Sequence, residues 1–165
     1  MIKPYFILSK SKVLEQYHKV RQVADFISYS SKTNPLITPI LEQNTDSLFS
    51  IHLTNELKHV KDKSRVIFLA QAWTEEDIKT LIDLGIVYFV VDNDVDLDKL
   101  LSFLEKNELK NKINLLLRLK LKENTLRTER YFVFGMNSEL INKRIKEIAH
   151  NQNLKSKINN LGIHF

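Results

Sequence analysis

At 165 residues, 43% hydrophobic and 27% charged, the chain is long enough for one domain with a packed core and too apolar to be disordered. It has no cysteine, which excludes disulfides and thiolate metal sites. No apolar run reaches the ~20 residues of a bilayer span, and the apolar stretch within 1–8 is too short for a secretory signal. The net charge of +5 would suit nucleic acid, but the lysines scatter over helix ends and polar faces without interleaved aromatics. The expectation is a cytoplasmic protein with no membrane or nucleic-acid partner.

Taken in order, the apolar pattern alternates between two periods. A short extended run at 5–8 leads to Ser9, a helix N-cap, and Val13, Leu14, Tyr17, Val20 and Ala24 recur at helical spacing over 10–24. A strand is predicted at 26–31, ending in Lys32. Pro35 suits the first turn of a second helix with Ile37, Ile40 and Leu41 on its apolar face. Residues 48–53 alternate as a strand. Thr54 and Asn55 then cap a third helix carrying Leu57 and Val60. Residues 65–70 read as a continuous apolar strand. Thr74 opens a helix with Glu75, Glu76 and Asp77 in its first turn, and Gly85 stops it. A buried strand at 86–91 follows. Asp92-Asn93-Asp94 then opens a helix reaching Leu104, with Asp92 read as its cap. A strand at 113–119, a polar loop at 122–130, a helix capped by Ser138 and a strand at 161–165 complete the order.

Short apolar strands alternating with amphipathic helices specify an α/β domain with a parallel sheet and crossover helices. A doubly wound sheet and a (β/α) barrel both fit. With only three glycines there is no Gly-rich phosphate cradle, no G-x-G-x-x-G and no P-loop. Nothing resembles a linker, so a single domain over 1–165 is expected. Lys32 stands at a strand tip, just before the turn signature Thr33-Asn34-Pro35. Partly desolvated at the mouth of a sheet or barrel, its amine would be a nucleophile for carbonyls. The alternative is one surface lysine among many on a basic chain.

A set of motifs in order narrows these choices. Pro4-Tyr5-Phe6-Ile7-Leu8 precedes a helix. Ser28-Tyr29-Ser30-Ser31-Lys32-Thr33-Asn34 ends a strand in lysine. Glu56 follows the second strand, and Val90-Val91-Asp92 ends the fourth. Leu116-Leu117-Arg118, Phe134-Gly135-Met136 and Leu161-Gly162-Ile163-His164-Phe165 follow. Together they resemble the N-terminal barrel portion of the fold-type III pyridoxal-phosphate-dependent decarboxylases, which act on ornithine, diaminopimelate, arginine and carboxynorspermidine. The resemblance implies an incomplete TIM-type (β/α) barrel of about six parallel strands. The last strands and the C-terminal β-domain would be lacking, and residues 1–8 would pack on that missing domain. It implies that Lys32 forms the internal aldimine with pyridoxal 5'-phosphate, and that Arg118, His52 and Ser50 bind this cofactor. The substrate would be a basic amino acid or diamino acid, in polyamine or lysine biosynthesis. The partner would be a second copy in a homodimer, or a C-terminal segment or second chain that completes the barrel. With open edges and an open interior, the chain alone should self-associate and be inactive.

The departures from the family pattern lie at Ser50, where the family has Asp, at Asn55, where it has Gly, at Gln71-Ala72-Trp73 in place of a Pro- and Lys-containing loop, and at Val133 in place of lysine. They leave open a catalytically inactive, decarboxylase-like regulatory protein. Other open readings are another fold-type III barrel, such as an alanine racemase-like protein, and an unrelated α/β binding domain. Each site residue also has a structural role to set beside the chemical one. Arg118 inside a Leu-rich strand could be a barrel ion pair, and His52 a hydrogen-bonded rim histidine. Glu56 could be a favourable charge at a helix start. His18, His59 and His150 have no paired metal spacing.

Overall fold

Six strands form one sheet in the computed structural model, which describes residues 6–120 and 134–165. They are β1 (Ser28–Ser30), β2 (Leu48–Ile51), β3 (Val66–Ala70), β4 (Tyr88–Val91), β5 (Ile113–Arg118) and β6 (Ile158–His164). Every neighbouring pair is parallel, and the spatial order is β1-β2-β3-β4-β5-β6. A parallel order that follows the chain without reversal is singly wound. Each right-handed crossover adds its strand on the same side and leaves its helix on the same face. A doubly wound sheet would reverse at a switch point. The sheet is therefore an open arc of a (β/α) barrel, with β1 and β6 as its edges among the described residues.

The helices are α1 (Lys10–Arg21), α2 (Thr38–Asn44), α3 (Glu75–Asp83), α4 (Asp94–Lys106), α5 (Ser138–His150) and α6 (Gln152–Lys157). Alternate strand residues turn toward them. Phe49, Ile51, Val66, Phe68, Phe89, Val91, Leu115 and Leu117 join helix residues such as Ile78, Leu81, Leu97, Leu100 and Ile141 in one buried cluster. Full burial of such a side chain stabilises by about 1.5–3 kcal/mol, so this layer between sheet and helices holds the fold. The opposite parity lines the barrel interior: Leu48 and Ser50, Ile67 and Leu69, Tyr88 and Val90, Asn114, Leu116 and Arg118, then Asn160, Gly162 and His164. This wall is mixed. Leu69 and Val90 are buried, whereas Asn114 Oδ1 accepts hydrogen bonds from Asn159 (3.1 Å) and Asn160 (2.7 Å).

Helix starts explain both the agreement and the corrections. Thr74 and Asp77 form a reciprocal capping box on α3. Pro35 is not in the first turn of α2; that place belongs to Pro39, and the helix begins at Thr38. The segment after β2 is a 3-10 helix over Thr54–His59 with no side-chain cap, so the expected α-helix there is a tighter, shorter turn. Asp92 does not cap α4. Asn93 does, its side chain accepting from the Asp96 N–H. Asn137, not Ser138, caps α5. A sixth helix, α6, follows directly, with Asn151 ending α5 and capping α6. Pro4, Tyr5, Val133 and the polar stretch at 122–130 lie outside the described residues.

Candidate active site

The residues that follow the strands converge on one end of the sheet, as the C-terminal ends of parallel barrel strands do. Lys32 lies in the turn after β1, closed by the hydrogen bond from Thr33 N–H to the Ser30 carbonyl (3.2 Å). Ser31 beneath it is fully buried, but Lys32 itself is exposed. The expected partial desolvation of its amine is therefore not seen among the described residues. Ser50 on β2 shares a hydroxyl–hydroxyl hydrogen bond of 2.7 Å with Ser28 on β1. His52 comes next and is half-buried. Its backbone N–H donates to Glu56 Oε2 at 3.0 Å, so Glu56 closes the loop after β2.

Arg118 ends β5 and pairs in register with His164 at the end of β6. Its guanidinium lies over the Phe134 ring, 5.4 Å from the centroid. Among the described residues no carboxylate pairs with it, so the expected barrel ion pair is not formed there. Burial, then the Lys32 charge, holds the His52 imidazole below its ordinary pKa, with Arg118 and His164 adding to the effect and Glu56 opposing it. Burial and the Arg118 charge lower His164 in the same way. Lys32, His52, Arg118 and His164 thus lie at the C-terminal ends of β1, β2, β5 and β6, at one end of the sheet. His164 joins the candidate site by its register with Arg118, a place its motif alone did not single out. The signal was available in strand parity, since a β5 arginine facing inward implies an inward partner on the next strand.

Two atoms at this mouth lack hydrogen-bond partners among the described residues and are shielded from solvent: Ser30 Oγ and His164 Nδ1. A buried polar atom without a partner costs about 1–3 kcal/mol, and a bound polar molecule is one way to meet that cost. Amine, guanidinium, imidazoles and hydroxyls together suit an anionic ligand that carries a carbonyl.

No protein-family model matches the sequence, and no curated protein matches it. Solved structures do. The lysine decarboxylase of Selenomonas ruminantium superposes with a TM-score of 0.67 at 20% identity, over 93% of this chain and 39% of its own. The diaminopimelate decarboxylase of M. jannaschii, in complex with L-lysine, gives 0.68 at 20% identity over 93% and 38%. The chain has the fold of a decarboxylase barrel. A third structure, SrLDC in complex with PLP and cadaverine, matches 99% of this chain at a TM-score of 0.68 and 19% identity. Against all three, the chain spans about 40% of the relative's length, and what it shares with them is its open six-stranded parallel α/β sheet. Among the described residues, no helix is long and apolar enough to cross a membrane.

Proposed function

We propose that the chain is the N-terminal barrel portion of a pyridoxal-phosphate-dependent decarboxylase acting on a basic amino acid or diamino acid. The observation that carries this reading is the position of Lys32. It directly follows the first strand of a decarboxylase barrel, on the side where His52, Arg118 and His164 gather. The residues fit the cofactor: an amine for its aldehyde, a permanent cation for its anionic oxygens, and unpartnered Ser30 Oγ and His164 Nδ1 for its polar edge. When bound, pyridoxal phosphate supplies an electron-withdrawing ring that takes up the electron pair left as a carboxylate departs as carbon dioxide.

The chain's own residues have distinct tasks. Lys32 Nζ would hold the cofactor covalently. Arg118, which lies over the Phe134 ring, would orient it by charge. His52, whose burial and the nearby Lys32 charge favour its neutral ring, offers a hydrogen-bonding nitrogen at the mouth. Buried Leu69 and Val90, with half-buried Leu116, make part of the interior wall apolar. Completion of the barrel by further strands, with residues 1–8 packing on an additional β-domain, a dimeric assembly and a cytoplasmic location belong to the same proposal.

The test adds pyridoxal phosphate to the longest natural chain containing these residues, reduces with borohydride and maps the modified peptide by mass. Modification at Lys32, lost in Lys32→Ala, is the expected result. Modification spread over many lysines, unchanged by Lys32→Ala, would refute the reading. Specific modification without turnover of lysine, ornithine, arginine or diaminopimelate would favour the inactive regulatory homologue.

A further inference from the structure

Arg118 is held differently from the other described arginines. Arg21 donates to the Ala24 carbonyl at 2.7 Å and lies 3.5 Å from Asp46. Arg144 pairs with Asp94, Asp98 and Glu147. Arg65 also stacks on an aromatic ring, 5.2 Å from the Phe49 centroid, but its N–H groups donate to the carbonyls of Glu42, Thr45 and Ser47. In all three the donors are already engaged. The Arg118 guanidinium lies over the Phe134 ring, and among the described residues no carboxylate pairs with it.

Phe134 is placed by the very strand that carries Arg118. The next residue, Gly135, has φ +108° and comes so close to β5 that a Cβ there would lie 2.9 Å from the Arg118 carbonyl oxygen. Met136 is buried and bridges β5 on both sides of Leu119. Its N–H donates to the Arg118 carbonyl and its carbonyl accepts from the Lys120 N–H, each at 2.8 Å. These backbone contacts set the ring beside the guanidinium. The ring itself is 52% exposed, so core packing does not account for its position.

The geometry points to Phe134 as a positioning residue that presents Arg118 to an anionic ligand at the mouth. A carboxylate partner would fix a guanidinium by occupying its in-plane N–H groups and offsetting its charge. An aromatic ring attracts it through its flat face, so the donors at its edge and its full charge stay available. The stack also restrains a long side chain, which then has less freedom to lose when a ligand binds. For the identity of the ligand the inference rests on the proposed decarboxylase reading: the anionic oxygens are those of the cofactor. His164 reports on the same geometry. Burial and then the charge of Arg118, its register partner on β5, hold the imidazole below its ordinary pKa.

The experiment compares Phe134→Leu, Phe134→Tyr and Arg118→Met in the longest natural chain containing these residues. The first readout is NMR titration of the His164 ring without cofactor, the signal being identified by its loss in His164→Gln. Leucine stays apolar but has no π face, so Phe134→Leu should free the guanidinium and move the His164 midpoint up. Phe134→Tyr should leave the midpoint in place, and in the Arg118→Met background Phe134→Leu should move it no further. The second readout is affinity for pyridoxamine 5'-phosphate by isothermal titration, since this probe has no aldehyde to react with Lys32. Phe134→Leu should weaken it about fivefold, or ~1 kcal/mol, and Phe134→Tyr less than about twofold. An unmoved His164 midpoint in Phe134→Leu, an equal rise in the Arg118→Met background, or unchanged probe affinity in Phe134→Leu would overturn the inference. If the unsubstituted chain binds no probe, the cofactor reading fails, and the histidine titration alone decides the role of Phe134.

Discussion

Gly135 gives a sharp test of how the loop before α5 is held against the end of β5. Its φ is +108°, and a Cβ built there would lie 2.8 Å from Lys120 N and 2.9 Å from both Arg118 O and Leu119 C, all backbone atoms. The neighbours cannot swing aside as a side-chain tip could. They include both ends of the bridge made by Met136 N–H to the Arg118 carbonyl and Lys120 N–H to the Met136 carbonyl, each 2.8 Å. Gly85 is a built-in control, with φ +86° and nothing within 4 Å of the same built atom. Gly85→Ala therefore carries only the conformational cost, about 1–2 kcal/mol. Gly135→Ala carries a similar cost and displaces two backbone hydrogen bonds at about 0.5–1.5 kcal/mol each. The expected gap between the variants is ~1–3 kcal/mol, read from urea unfolding midpoints at equal slope. Gly135→Ala should also loosen the Arg118–Phe134 contact. Equal destabilisation of the two variants, within ~0.5 kcal/mol, would refute the reasoning, since the steric contribution would then be missing.

Two further outcomes follow from buried groups. His52 and His164 both have pKa values below the ordinary 6.5 in the folded chain, so the unfolded chain binds more protons in that window. Stability should be full above about 6.5 and fall as the pH drops from there through the lowered folded values. Unfolding midpoints at pH 7 and pH 5 measure this, and His52→Gln with His164→Gln should flatten the dependence. Asp96→Ala removes the acceptor of the Ala72 N–H and of Asn93 Nδ2 and should cost about 2–4 kcal/mol. The chain's single tryptophan, Trp73, is buried, stacks with Phe68 at 6.5 Å and donates to the Asp96 carbonyl at 3.0 Å. Its emission should therefore shift to the red in that variant while α3 persists.

Much of the architecture was legible because burial imposes two clear periods. Continuous apolar runs such as 65–70 and 86–91 have no other home than a strand covered on one side by helices and lining a barrel on the other. Strand order was not legible in the periodicity, because a singly wound and a doubly wound sheet share the same local pattern; the motif resemblance implied the barrel, and the pairing of β1 with β2 through β6 agrees with it. Cap positions slipped by one residue at Asn93 and Asn137. In a run of Asp, Asn and Ser every member can accept from a helix N–H, and backbone geometry selects one. The short helix α6 has one buried apolar side chain, Leu154, too few for a period to show. The other side chain it buries is Lys157, whose amine reaches the carbonyls of Leu104 (2.8 Å) and Asn107 (2.9 Å) at the end of α4. In the site, the position of Lys32 after the first strand was readable, and its exposure was not. His164 acquires its place in the candidate site only from register, which brings together residues far apart in sequence.

The unequal edges of the sheet have a dynamic consequence. β1 is three residues long and β6 is seven, and each is held on one side only among the described residues. Amide hydrogen exchange should therefore rise from the interior strands β3–β5 toward the β1 border, where sub-global opening requires breaking the fewest bonds. Lys32 follows that border strand among the described residues. The local free energy of opening there, more than the stability of the domain, governs how long the amine stays in register with the groups across the mouth. A ligand bridging Lys32 to β5 or β6 would slow exchange at Tyr29 and Ser30 first.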